Sequence, residues 1–262
     1  MYDVTYHRPT SVEDAVAKFS AASDGQLLAG GQTLLPTMKH RLAAPSDLID
    51  LRGISGLSGV EVSGRNVTIG AMTSHAAVAE NAELAKVCPA IVRLAGGIGD
   101  PAVRHQGTIG GSIANNDPSA DYPAGLLALS ATIHTNQRQI AADDFFTGLF
   151  STALDEGEII TAVSFVAPDA CGYAKFPNPA SRYAMTGVFV SKGSGAVRVA
   201  ITGAGSDGVF RHDGLEQALA KEWSAAAVDG VTISPDNLMS DIHCDAAYRA
   251  NLIKAMAKRA VG

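Results

Sequence analysis

Two hydrophobic periods alternate along this chain, and each predicts a different element. Val12, Ala15, Val16 and Phe19 recur at i, i+3, i+4 and i+7 behind Ser11-x-x-Asp14, the spacing of an amphipathic helix with a capping box at its start. Strands are predicted on either side, at Tyr2–Tyr6 and Gln26–Ala29, followed by a short helix over Leu34–Leu42 and a strand over Asp47–Leu51. The opening therefore reads β-α-β-α-β, a small α/β unit. Val60-x-Val62 and Val67-x-Ile69 alternate about Gly64 and predict a hairpin. Residues 76–95 read as helix, 96–111 as a glycine-dense loop, and Tyr122–Leu129 as an apolar helix. Strands follow at Thr132–Thr135 and Glu158–Val166. Three prolines and Gly172 between Pro168 and Pro179 mark a domain boundary. Beyond it the pattern gives strands near Thr186–Ser191 and Val197–Gly203, then helices at Leu215–Lys221 and Ala246–Val261. The fold class is α+β.

Two glycine-rich segments stand out from this pattern. The first, Leu28-Ala29-Gly30-Gly31-Gln32-Thr33-Leu34-Leu35-Pro36, follows a strand and enters a helix. A Gly pair there permits positive φ and close approach of a ligand, and successive N–H groups can form an anion nest. A tight turn at a helix entry is the other reading. The order G-x-G-x-x-G is absent, as is Gly-Lys-Ser/Thr, so neither a Rossmann fingerprint nor a P-loop is present. The second segment runs from Arg104 to Pro123 and contains Thr108-Ile109-Gly110-Gly111-Ser112, then Asp117-Pro118 and Asp121. It offers donors for phosphate and carboxylates for ribose hydroxyls. On the structural side, Asp117-Pro118 reads as a helix N-cap with Pro at N1, and Asp121 falls in the first helical turn.

Composition narrows the function classes. With 262 residues, 47% hydrophobic and 18% charged, the chain can bury a full core. A net charge of −6 argues against nucleic acid as a partner. Cys88, Cys171 and Cys244 are widely separated, and the seven histidines show no ligand spacing, so no metal site is expected on this chain. No basic segment leads into an apolar one at the N-terminus, and no apolar run approaches membrane-spanning length; a cytoplasmic, soluble protein is expected. No nucleophile–base arrangement suggests a catalytic residue.

Taken together, A-G-G-Q-T-L-L-P and T-I-G-G-S-x-A-x-x-D-P-x-x-D-x-P resemble the two signatures of the FAD-binding medium subunit of molybdenum hydroxylases, the carbon monoxide dehydrogenase, xanthine dehydrogenase and aldehyde oxidase group. Their order matches, and 80 residues separate Gly30 from Gly110. The likeness covers nearly the whole chain. It implies the two-subdomain FAD-binding fold of the vanillyl-alcohol oxidase and p-cresol methylhydroxylase type over residues 1–167, with subdomains of about 1–53 and 54–167. A smaller α/β C-terminal domain would follow over 168–262.

The resemblance also implies a site. Ala29, Gly30, Gly31, Gln32, Thr33, Leu34 and Leu35 would wrap the FAD diphosphate with backbone N–H groups. Thr108, Ile109, Gly110, Gly111 and Ser112 would do so from the other side. Asp121 would lie at the ribose and adenosine end, and Ile159 or Ile160 would present backbone to the flavin ring. Lys175 would lie near the isoalloxazine, the alternative being a solvated strand lysine. His105 departs from the Asn common at its position. The cysteine insertions of some relatives are missing, so the chain would carry noncovalent FAD only.

Partner chains are implied as well: a large molybdenum-cofactor subunit and a small subunit with [2Fe-2S] clusters, assembled as a dimer of heterotrimers. The small subunit would cover an apolar, weakly charged patch near Ile159 and Lys175. Electrons would pass through FAD to NAD, oxygen or another acceptor. Two alternatives stay open from the sequence: a free-standing flavin oxidoreductase of the same fold, and a nucleotide-binding scaffold without redox turnover.

Overall fold

The computed structural model describes residues 1–193 and 195–262. Its first sheet is parallel, with β1 (Thr5–His7), β2 (Gly25–Leu28) and β3 (Asp47–Asp50) in the order β1-β3-β2. The helix Val12–Ala21 connects β1 to β2 and begins at Ser11, whose hydroxyl accepts from the Asp14 N–H at 3.2 Å. The shorter helix Leu34–Lys39 connects β2 to β3. This is the β-α-β-α-β unit that the hydrophobic periods predict.

The second sheet is antiparallel. It comprises β4 (Val60–Ser63), β5 (Asn66–Gly70), β6 (Thr132–Thr135), β7 (Gln139–Ala141) and, near its centre, β10 (Ile160–Val166), in the order β4-β5-β10-β6-β7. A small hairpin of β8 (Phe146–Gly148) and β9 (Ser151–Thr152) precedes β10. The helices between β5 and β6 bury Leu84, Ile91, Leu94, Ile113, Tyr122 and Leu126 against this sheet.

The third sheet, also antiparallel, runs in order from β11 (Ala170–Pro177) through β12 (Ala184–Gly193) and β13 (Ala196–Thr202) to β14 (Phe210–Arg211). Both of its faces are buried. Tyr173, Phe189 and Ala200 join the core that contains the helix Tyr122–Ala128. Val188, Val190, Val199 and Ile201 point the other way, onto the helices Asp213–Lys221 and Ala246–Val261. Near-continuous apolar strands follow from that double coverage.

Several expectations need correction. The stretch 76–95 is three helices, His75–Ala79, Ala82–Val87 and Pro89–Gly96, because Asn81 caps a new start and Pro89 opens another. The glycine-dense stretch is largely helical, Pro101–Gln106 and Ile109–Asn115, each begun by a side-chain cap, Asp100 and Thr108. Asp117 caps no helix; its carboxylate accepts from the Ser119 N–H at 2.8 Å in a turn. Most of the proline-bearing stretch after Pro168 is β11, an edge strand, where a missing N–H at Pro177 is tolerated.

Candidate functional site

A cleft of about 980 Å³ opens where β2 ends, at the upper end of the size range of ligand sites. β2 stops at Leu28 and the chain turns through Ala29, Gly30 and Gly31 before the helix starts at Leu34. Gly31 has φ of +71°, a conformation costly for any residue with a Cβ. The Leu35 N–H donates back to the Gly31 carbonyl at 3.1 Å. Among the described residues, the N–H groups of Gly30, Gly31, Gln32, Thr33 and Leu34 find no acceptor in the chain. Five consecutive unpartnered donors at the lip of a cleft can hold an anion.

The second glycine segment backs onto the first. A Cβ at Gly30 would collide with the Gln106 carbonyl, and one at Gly111 would meet the Ala29 Cβ at 3.1 Å. Gly30 and Gly111 are the members of the two pairs at which the segments touch; Gly31 is set by its positive φ and Gly110 by its contact with Ala71. The roles of the two segments differ, however. The N–H groups of Ile109, Gly110, Gly111 and Ser112 are consumed internally, by Thr73, Ala71, the Thr108 hydroxyl and the Thr108 carbonyl. The second segment therefore cannot wrap a diphosphate with these N–H groups, as the motif implied. What it turns to the cleft is the surface of Thr108, Gly110, Gly111 and Ser112. Ile109 is fully buried in the core.

Ala29, Gly30, Gly31, Gln32, Thr33, Leu34, Asp121, Ile159 and Ile160 also line the cleft, whereas Leu35 and Lys175 do not. Leu35 lies behind the turn, its side chain close to Gly31. Ile159 is bonded through both backbone groups to Asn136, at 2.8 and 3.0 Å, and its side chain joins the core with Ile49 and Met72. Ile160 pairs with Thr135 in the second sheet.

Asp121 and Lys175 depart most sharply from the positions that the resemblance implies. Their charges lie 2.9 Å apart, and both side chains are buried. Asp121 also accepts from the Tyr173 hydroxyl, while Lys175 donates to the carbonyls of Gly97 and Arg182 at 2.9 and 3.0 Å. Burial pushes the Asp121 carboxyl upward, and the Lys175 ammonium opposes that push. Two residues in contact cannot mark opposite ends of an extended dinucleotide. Nor is Lys175 a solvated strand lysine: it ties β11 to the end of the helix Pro89–Gly96.

Sequence reasoning missed other parts of the wall. His75 is 5% exposed, its ring lies against Gly107 and 5.4 Å from Tyr122, and its Nδ1 has no partner. Burial lowers its pKa to about 4, so it is neutral at pH 7. Its only sequence signal was a helix start after Ser74. Glu158 is held by both Arg138 contacts, at 3.0 and 2.9 Å, and by the Thr135 hydroxyl, which lower its pKa to about 2. That cluster fixes the turn Asp155–Gly157 on the cleft wall. His105 donates from Nδ1 to the Pro101 carbonyl, 2.7 Å away, and does not line the cleft. Among the described residues no group of three or more His, Cys, Asp or Glu side chains is placed to hold a metal, and no helix is long and apolar enough to cross a membrane.

Comparison with known proteins places the chain in a family. Residues 2–166 match the family described as the FAD binding domain in molybdopterin dehydrogenase, and the chain belongs to that family. It is 33% identical to the nicotine 6-hydroxylase medium subunit of Paenarthrobacter nicotinovorans, over 98% of this chain and 96% of that one. It is 34% identical to the carbon monoxide dehydrogenase medium chain of Hydrogenophaga pseudoflava, over 98% and 95%. Among solved structures, carbon monoxide dehydrogenase from H. pseudoflava superposes with a TM-score of 0.88 at 35% identity, covering 99% of this chain and 96% of that one. Quinoline 2-oxidoreductase from Pseudomonas putida 86 gives 0.88 at 27% identity, with the same coverage. The chain is thus an FAD-binding oxidoreductase subunit of the molybdenum hydroxylases, with an α+β fold of the p-cresol methylhydroxylase type.

Proposed function

We propose that this chain seats the FAD diphosphate on the Gly30–Leu34 donors and works as the electron-transfer subunit of a molybdenum-containing hydroxylase. In this reading a large subunit with molybdenum cofactor oxidises the substrate. A small subunit with [2Fe-2S] clusters relays the electrons to this chain, and NAD, oxygen or another acceptor receives them. The three chains assemble as a dimer of heterotrimers in the cytoplasm. Within the chain the division falls at about 53 and 167, with residues 168–262 as the C-terminal domain.

The observation that carries the reading is the row of five free N–H groups beside a Gly31 in the left-handed region. A diphosphate supplies the acceptors that row lacks. Bound FAD would supply the redox chemistry, which no side chain of this cleft can perform. The protein's own tasks are binding and orientation. Ser112 lines the same cleft. Neutral His75 packs against Gly107, and the Arg138–Glu158 pair fixes the Asp155–Gly157 wall.

Stopped-flow mixing tests the relay. The FAD-loaded chain is mixed with the small subunit, reduced beforehand with dithionite and freed of excess reductant. Fast bleaching of the flavin band is expected; no transfer would rule out the relay and favour the free-standing oxidoreductase.

A further inference from the structure

We propose that Cys88 and Cys171 are a peroxide-responsive thiol pair whose disulfide staples the helix Pro89–Gly96 to β11. The two sulfurs lie 3.8 Å apart. Cys88 is fully buried at the joint between the helices Ala82–Val87 and Pro89–Gly96. Cys171, half-buried, is the second residue of β11 and pairs with Ser191 of β12. Sequence distance hides the pair, since 83 positions separate the two residues. This inference does not depend on the cofactor reading.

The surroundings divide the chemical roles. Cys171 lies by the backbone of Ala90 at the start of the helix Pro89–Gly96 and near Arg93, with the Cys88 sulfur 3.8 Å away; together these lower its pKa to about 7. A partly exposed thiolate beside a helix start is the reactive kind. Cys88, buried and sharing its proton with Cys171, is held as the thiol. Hydrogen peroxide is the oxidant. The Cys171 thiolate attacks one peroxide oxygen, an S–O bond forms, the O–O bond breaks, and hydroxide leaves. Cys88 then gives up its proton and attacks the Cys171 sulfur; the S–S bond forms, the S–O bond breaks, and water leaves. Two thiols lose two electrons and one peroxide becomes two waters. A dithiol reductant reverses the change.

The staple has a mechanical consequence. The Pro89–Gly96 helix leads directly into Gly97, whose carbonyl holds Lys175, and into Ile98 and Gly99 on the cleft wall. Closing the disulfide fixes that wall to β11.

The test uses the full-length, FAD-loaded chain treated with stoichiometric hydrogen peroxide. Free thiols should fall from three to one, and non-reducing peptide mapping should join the Cys88 and Cys171 peptides with loss of two hydrogens. The thermal midpoint should rise by about 5 °C and return on reduction. Cys171→Ser and Cys88→Ala should each abolish both changes, and Cys244→Ser neither. Sulfinic acid at Cys171 without a cross-link, or three thiols remaining, would overturn the proposal. A cross-link that leaves the midpoint unchanged would overturn the staple.

Discussion

Asp121 and Lys175 form a buried ion pair, and its energetics follow from burial. Their side chains are 4% and 8% exposed, so removing one partner strands the other charge away from water. Lys175→Met should lower unfolding stability by about 3 kcal/mol in urea titrations, with the m-value unchanged. A loss near zero would mean that water reaches Asp121. Two other buried groups set the acid response. The folded pKa of His75, about 4, lies below the usual 6.5, so the unfolded chain takes up the proton first as pH falls. Its contribution is whole above pH 6.5 and drains away toward pH 4, by about 2–3 kcal/mol. The folded pKa of Glu158, about 2, lies below its usual 4.5, so its contribution is whole above 4.5 and is lost toward 2. Because Arg138 is 44% exposed, that second step is expected nearer 2 kcal/mol than the full linkage value. Chemical denaturation across pH 2–7 should show both steps, with His75→Gln removing the upper and Glu158→Gln the lower. A flat profile would contradict both assignments.

At the scale of elements, the two glycine segments have the same sequence look and different physics. The strand-to-helix turn at Gly30–Gly31 leaves its donors free, whereas Ile109–Ser112 is helical and has spent them. Gly110 packs on Ala71, where an added Cβ would meet both the Cβ and the carbonyl oxygen at 2.7 Å. Gly110→Val is therefore expected to cost more than about 3 kcal/mol of stability and to lose flavin only as a result. Flavin loss with an unchanged unfolding midpoint would refute that packing role. What was legible beforehand divides along the same line. Val12, Ala15, Val16 and Phe19, and the alternation around Gly64, report their elements because burial imposes a period. Ile109–Asn115 carried too few apolar side chains to show a period, although Thr108 was a visible cap. The motif pair located the cleft, but the Asp121–Lys175 contact joins residues 54 positions apart and no local pattern encodes it. His75 was hidden for the same reason, its environment being supplied by Gly107 and Tyr122.

For the molecule as a whole, Ile159, Ile160 and Lys175 are themselves buried, so an apolar patch near Ile159 and Lys175 is supplied by their neighbours. The large apolar side chains that stand exposed at the cleft are Phe150 and Tyr183, at 61% and 44%, with Leu149 beside them at 45%. On the proposed assembly, that rim is the expected docking face for the small subunit. An interface that supports stable assembly buries more than about 1,000 Å² in total. Leu149→Asp should weaken co-purification with the partner chains by about tenfold or more without altering flavin content; unchanged assembly would move the interface elsewhere. The central claim, that the free donors of Gly30–Leu34 hold the cofactor, is tested most directly by the FAD-to-chain ratio of purified wild type and Gly31→Val. The Gly31 turn needs φ of +71°, and an added Cβ would meet the movable side-chain ends of Leu35 and Leu28, at 2.8 and 3.2 Å, so the variant should keep its circular dichroism spectrum. Wild type should carry one FAD per chain, released entirely into the supernatant by acid, and folded Gly31→Val should carry almost none. A folded variant with full FAD, or a wild-type chain that cannot take up FAD, would contradict the account.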